Sequence, residues 1–412
     1  MSPFRFYIGT HAPAGQPSIL HCSADFRKET FTTISTLQEI SDPTYLSSSD
    51  GMILYTLGKA SDGDRVFALR GQAILDSLPS GGRGPCHVCV DEHREFLLCA
   101  NYVSGSVSLY DLNRDGSIHS LCDFRQYSGV GFDSGDRQKG PHAHFAAFHA
   151  ERDEVLVCDL GLDMVYVYEL DRAARRLRDT RRSIRLPDGS GPRHLAFSPA
   201  HPGMLFVLTE MANMIFTYRF DPDSCRYVRK QQISAVCDEG SCNEGSCDGG
   251  AGVCPPDEAL MVPPTADNGS IGCAIRFTQD GAYLFVSSRL GYQCISAFSC
   301  SPEGRLRFCS RCLCGGITPR DLNVFEDNGP GTEGPMEDAR GDGRSSDGPL
   351  SDRQPSDGLL SGGHSAESCV HLLVANQDSD LVTALRFDRR TEKLSLLHMK
   401  MQAVKPTCIL PV

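Results

Sequence analysis

One pattern returns seven times along the chain: a short apolar strand, a polar elbow, a second apolar strand and, in most copies, an Asp. The clearest copies are Val155–Asp171, Leu205–Asp221 and Leu372–Asp388, and others begin near Phe6, Ile53, Leu97 and Leu284. Within the strands the apolar residues alternate with period two, as in Val107-Ser-Leu-Tyr110. Hairpin signals such as Asn113-Arg-Asp-Gly116 and Asp280-Gly281 separate them. Helical periodicity is nearly absent. Short strands recurring every roughly 40–50 residues predict an all-β protein, a seven-bladed β-propeller of four-stranded antiparallel blades spanning 1–412 as one domain.

The ends of the chain fit this arrangement. The segment from Lys405 to Val412 reads as the start of a repeat, and the copy at Phe6 lacks that starting strand. The C-terminal strand is therefore expected to complete the N-terminal blade, and such closure leaves no open sheet edge. Two low-complexity insertions, at about 236–270 and 327–368, stretch two blades without changing their number. Neither has enough apolar residues to offset its ordering entropy, so both are expected as surface loops, the second disordered. The first carries Cys237, Cys242, Cys247 and Cys254. These lack the close cysteine pairs of a structural zinc site, and no metal is expected there.

The net charge of −12 argues against general binding to nucleic acid or to a membrane surface. No basic leader precedes the first strand, and no apolar run approaches the roughly 20 residues of a membrane helix. Nineteen cysteines are present, and Cys89, Cys99, Cys158 and Cys300 sit inside apolar strand patterns. They read as buried reduced thiols, which fits a cytoplasmic location. Oligomeric state is not set by these features.

A propeller gathers one position from every blade around its axis, so aligning the repeats shows which residues can meet. One series follows a Pro at the head of each repeat: Thr44, Cys86-His87, His142-Ala-His144, Arg193-His194, Arg320-Asp321 and Thr407, the repeat near Cys273 having lost its Pro. The other is the elbow after the next strand: Tyr102, Leu160, Glu210, Arg289 and Gln377. Packing alone would place similar small polar residues at every elbow. Instead one holds a carboxylate and another a guanidinium. Together the two series put His142, His144, Arg193, His194, Glu210, Arg289 and Arg320 at one mouth of the ring. Arginines can hold a phosphate or carboxylate bidentately, and a His or Glu can move a proton. His87 and His194 recur at nearly the same repeat position, which also fits an architectural role. Asn101, Asp159 and Asn376 share one elbow position and read as turn-formers bonded to their own backbone.

Several stretches carry a resemblance. They are Gly84–Asp91 with Ala100–Val107, Pro141-His-Ala-His144 with Asp159–Asp163, Gly189-Ser-Gly-Pro-Arg-His194, Ile275–Gly281, Thr318–Asp321 and Val374–Asp380. This set resembles the seven-bladed lactonase family, which includes propeller-type 6-phosphogluconolactonases and carboxy-cis,cis-muconate cyclases. The resemblance implies a lactone hydrolase acting without cofactor on an anionic sugar lactone, most simply 6-phosphogluconolactone. It places catalysis on His144, Arg193, Glu210 and Arg289, with His142 competing for the role of His144; the repeat alignment adds His142, Arg320 and His194 as substrate-binding groups. His144 or Glu210 would activate water. Thr209 and Ser288 stand where the family usually has Asn. A carboxymuconate-type cycloisomerase would use the same residues. A non-enzymatic propeller scaffold, with the insertions as partner-binding tails, is a third expectation.

Overall fold

The computed structural model describes residues 3–133, 137–236, 269–326 and 369–412. Both insertions, with the four cysteines between Cys237 and Cys254, lie outside the described residues except at their edges. The described residues form seven antiparallel sheets of the expected kind and contain no α-helix.

Blade 1 is closed by the two ends of the chain. Its innermost strand is Pro406–Pro411, followed outward by Phe4–Thr10, Ile19–Asp25 and Thr30–Leu37. The innermost strands of blades 2 to 7 are Leu46–Ser47, Pro85–Val90, Ala143–Phe148, Pro192–Phe197, Ser270–Phe277 and Pro319–Glu326. Each is followed outward by the next three strands in sequence, which is the connectivity of a sheet that starts at the axis and ends at the rim. Blade 4 departs slightly: its outer strand, Arg176–Asp179, is short, and Ile184–Arg185 pairs separately with Met164–Val165.

The core sits between blades. Alternating residues of each blade face its two neighbours, and this divides the buried apolar side chains into seven clusters, one at each interface. Phe145, Leu156, Leu205 and Phe216 join blades 4 and 5. Phe6, Ile8, Leu373 and Phe325 join blades 1 and 7 and so close the ring. Burial of these faces drives assembly at roughly 25 cal/mol per Å². Cys99 and Cys158 are fully buried in the clusters, whereas Cys89 and Cys300 are half-buried; every described cysteine is a free thiol.

Candidate active site

Hub side chains are aimed by a repeated defect in the innermost strands. In five blades the ladder skips one residue: Cys86, His144, Arg193, Arg320 and Thr407. A β-bulge leaves its extra residue unpaired and turns it out of the pleat. All five bulged residues line one cavity of about 370 Å³ on the axis, a size typical of small-molecule sites. The residue that follows each bulge, His87, Phe145, His194, Asp321 or Cys408, packs with Tyr45 around the floor of the cavity. There His87 packs 4.2 Å from the Tyr45 ring and 3.9 Å from Phe145. Arg276 spans this floor, bonding Tyr45 Oη at 3.1 Å and Asp321 Oδ1 at 3.0 Å.

The bulge decides between the two candidate histidines of blade 4. Ala143, not Pro141, occupies the position that Pro85, Pro192 and Pro319 hold in their ladders. His144 is therefore the axial residue. His142 lies two residues earlier and is not among the cavity-lining residues. Its ring stacks on Tyr102 at 4.4 Å, and its Nδ1 pairs with the Tyr102 carbonyl at 2.9 Å.

The elbows are shaped by a tight turn whose last residue adopts positive φ. That residue is Gly105, Asp163, Asn213 or Asp380, at φ 62°, 55°, 51° and 53°, all types that tolerate this region. In blade 5 the turn is also locked by Thr209, whose hydroxyl bonds Met214 O and accepts from Met214 N. Thr209 thus closes the elbow that presents Glu210. Glu210 is pinned further by its own amide on Gly191 O at 2.7 Å and by Gly272 N on its carbonyl at 3.1 Å. Of the elbow polar residues, Asp159 behaves as read from the sequence, with Oδ1 accepting from Gly161 N and Leu162 N. Asn101 instead reaches across to Ser80 O, and Asn376 bonds Val374 O and Thr383 Oγ1.

Glu210 is buried and both its oxygens are taken. Oε2 accepts from Arg193 Nε at 2.8 Å; Oε1 accepts from Arg289 at 2.9 Å and from Arg137 at 2.5 Å. Burial alone would raise this carboxyl, but Arg193, Arg289 and Arg137 overcome it and hold it far below the usual carboxylate range. Glu210 is a permanent anion that organises guanidinium groups. Arg193 is fixed in turn by the Cys273 carbonyl and by His194 Nε2 at 3.0 Å.

His144 sits beside this cage, its ring 5.4 Å from His194 and 5.6 Å from Tyr102. Its Nδ1 is buried and makes no hydrogen bond. Burial and then the Arg193 charge push its pKa well below that of a free histidine, so the imidazole is neutral near pH 7. Arg320 also lines the cavity and, among the described residues, makes no hydrogen bond or ion pair. Burial first, then Arg193 and Arg289, pull its pKa down to about 10. The cavity wall carries five cations, Lys59, Arg137, Arg193, Arg289 and Arg320, against three carboxylates, Asp42, Asp64 and Glu210. A protein of net charge −12 thus keeps a net positive well at its hub.

Of the seven residues named from the sequence, the fold gathers all but His142 around the cavity. Arg137 was missed. It comes from the loop joining blades 3 and 4, which has no counterpart in the repeat and so left no alignment signal. Cys86 lines the cavity too, but burial pushes its thiol up to about 12, which removes it as a nucleophile at neutral pH. A wider groove of about 970 Å³ lies among the turns of blades 2 to 4, but its Arg94, Arg172 and Arg175 are already paired with carboxylates there.

The described residues thus form a seven-bladed propeller with an arginine-lined well on its axis. The chain belongs to the seven-bladed β-propeller lactonase family, whose profile matches residues 5–329. It is 27% identical to a 6-phosphogluconolactonase of Bacillus subtilis over 99% of this chain and 98% of that one. An uncharacterised protein of Lactococcus lactis is 25% identical over 99% of both chains. Among solved structures, a protein from Lactobacillus plantarum superposes with TM-score 0.74 at 25% identity over the full length of both chains. A periplasmic gluconolactonase of Pseudomonas aeruginosa shares the fold, with TM-score 0.75 at 20% identity, covering 100% of this chain and 99% of that one.

Proposed function

We propose that the chain hydrolyses an anionic sugar lactone, with 6-phosphogluconolactone as its substrate. The observation that carries this reading is Arg320, a cavity-lining guanidinium with no ion-pair partner among the described residues, next to three others that share the single carboxylate of Glu210. Such a group calls for an anion from outside the protein. The Bacillus subtilis relative, a 6-phosphogluconolactonase, supplies a matching substrate.

In this reading a water enters between the lactone carbonyl and His144. Neutral His144 takes one proton as the water oxygen bonds to the carbonyl carbon, and the carbonyl oxygen becomes an oxyanion. Arg193 and Arg289, kept rigid by Glu210, stabilise that oxyanion without reorganising. The tetrahedral centre then collapses. The ring C–O bond breaks, the ring oxygen takes the proton held by His144, and a hydroxy acid leaves, ionised at neutral pH. The ester is intrinsically reactive, so acid–base help of about 10²–10⁴ with the electrostatic contribution suffices. Glu210 serves here as the clamp and His144 as the base, which narrows the pair read from the sequence.

The test is a pH-stat assay of 6-phosphogluconolactone opening against the buffer rate. Acceleration by the wild type, lost in His144→Ala and Arg193→Ala, supports the reading. No acceleration above buffer rejects it.

A further inference from the structure

We infer that Arg137 is a specificity-determining residue that reads the anionic substituent of the substrate, paired with Arg320. This rests on the lactonase reading above and assigns one more role within the same cavity.

Glu210 Oε1 has two arginine partners and Oε2 has one, so one partner of Oε1 can leave with a guanidinium still on each oxygen. The three differ in how firmly they are held. The Arg193 side chain is 2% exposed and the Arg289 side chain 16%, whereas that of Arg137 is 39% exposed. Arg193 also owns Oε2 alone, while Arg137 shares Oε1 with Arg289. If Arg137 turns away, Glu210 keeps one guanidinium on each oxygen. Neither the carboxylate nor the two inner arginines is then left unpaired in a buried site, which would be costly.

The backbone that carries Arg137 is fixed. Its neighbour Gln138 is fully buried, and its Nε2 donates to Leu160 O at 3.0 Å and Asp163 Oδ1 at 2.9 Å. Asp163 also receives Gly189 N and Gly191 N, at 2.8 and 2.7 Å, from the head of the strand that bears Arg193. Arg137 is thus a flexible side chain on an anchored base, within reach of the cavity. The Tyr102 side chain lines the same cavity. An anion held by Arg320 attracts this movable guanidinium, and the two forks together match the oxygens of a phosphate.

The test measures kcat/KM on 6-phosphogluconolactone and on unphosphorylated gluconolactone for wild type, Arg137→Ala, Arg137→Lys and Arg320→Ala. Loss of one charge-assisted contact to the phosphate lowers the phosphorylated-to-neutral ratio by about ten-fold or more in Arg137→Ala, mostly through KM. Arg320→Ala shifts the ratio in the same direction, and Arg137→Lys restores part of it. A ratio equal to wild type in Arg137→Ala overturns the assignment. If the wild type opens neither lactone, the proposed activity fails and the clamp is judged by titration alone. Thermal stabilisation by 6-phosphogluconate and by inorganic phosphate that is weaker in Arg137→Ala than in wild type then supports it, and equal stabilisation overturns it.

Discussion

Arg193 Nε donates to Glu210 Oε2 at 2.8 Å, with both side chains almost wholly buried, so two residues from one blade form an ion pair inside the hub. Arg289, from the next blade, and Arg137, from an inter-blade loop, complete it. The cluster is both the electrostatic framework of the cavity and a point of fragility, because removing its one anion leaves buried like charges facing each other.

Glu210→Gln keeps the shape and deletes the charge. It should destabilise the protein by about 3–5 kcal/mol, the usual cost of orphaning a buried charge. Adding Arg193→Met should recover part of this loss. Urea denaturation of the single and double variants checks the sign of the coupling.

Burial holds His87, His144 and His194 neutral, each with a pKa well below that of a free histidine. In the unfolded chain they take up protons below about pH 6.5. Between that value and their lower folded pKa values the unfolded state binds more protons. Stability from these groups is therefore present above pH 6.5 and lost as pH falls. Each contributes a slope of up to about 1.4 kcal/mol per pH unit. Denaturation at a series of pH values should show this slope, and His87→Phe, placed between Tyr45 and Phe145, should reduce it by up to about 1.4 kcal/mol per pH unit. Lactone opening should hold its rate below pH 6.5, since His144 stays unprotonated there.

Asp159 behaves in the opposite sense. Burial raises its carboxyl to about 7, against the lowering effect of amide donors from His142, Gly161 and Leu162, and its Oδ2 has no partner. From about pH 4 the unfolded state ionises first, so its contribution to stability falls as pH rises toward 7. Asn, which occupies the matching elbows as Asn101 and Asn376, escapes this penalty. The stability of Asp159→Asn relative to wild type should grow between pH 4 and pH 7, as read by thermal melts across that range.

Gly272 passes close behind the Glu210 elbow. A Cβ there would lie 2.5 Å from Thr209 O and 3.0 Å from the Leu208 side chain. Gly272→Ala should cost about 1–3 kcal/mol as overpacking and should lower lactone opening by displacing Glu210. Gly203→Ala, with nothing within 4 Å of the added carbon, is the control. Melting temperature and initial rate distinguish the two.

The seven blades, their strands and the closure of the first by Pro406–Pro411 were legible in the sequence, because period-two alternation and repeat length act locally and recur. The hub positions of Arg193, Glu210, Arg289 and Arg320 were legible for the same reason: a ring maps equal repeat positions to equal places in space. His142 and His144 could not be separated that way. Their order relative to the axis depends on a ladder that skips His144, and a bulge is a property of strand pairing. Arg137 belongs to no repeat, and only the tertiary contacts of its neighbour Gln138 bring it to Glu210.

The sequence alone thus set the architecture and the set of charged residues delivered to the axis, through periodicity that any one blade already contains. Tertiary structure decided which charges cancel. Ion pairing depends on distances of about 3 Å between side chains far apart in the chain. Those distances made Glu210 a caged anion, kept His144 neutral and left Arg320 without an ion-pair partner among the described residues.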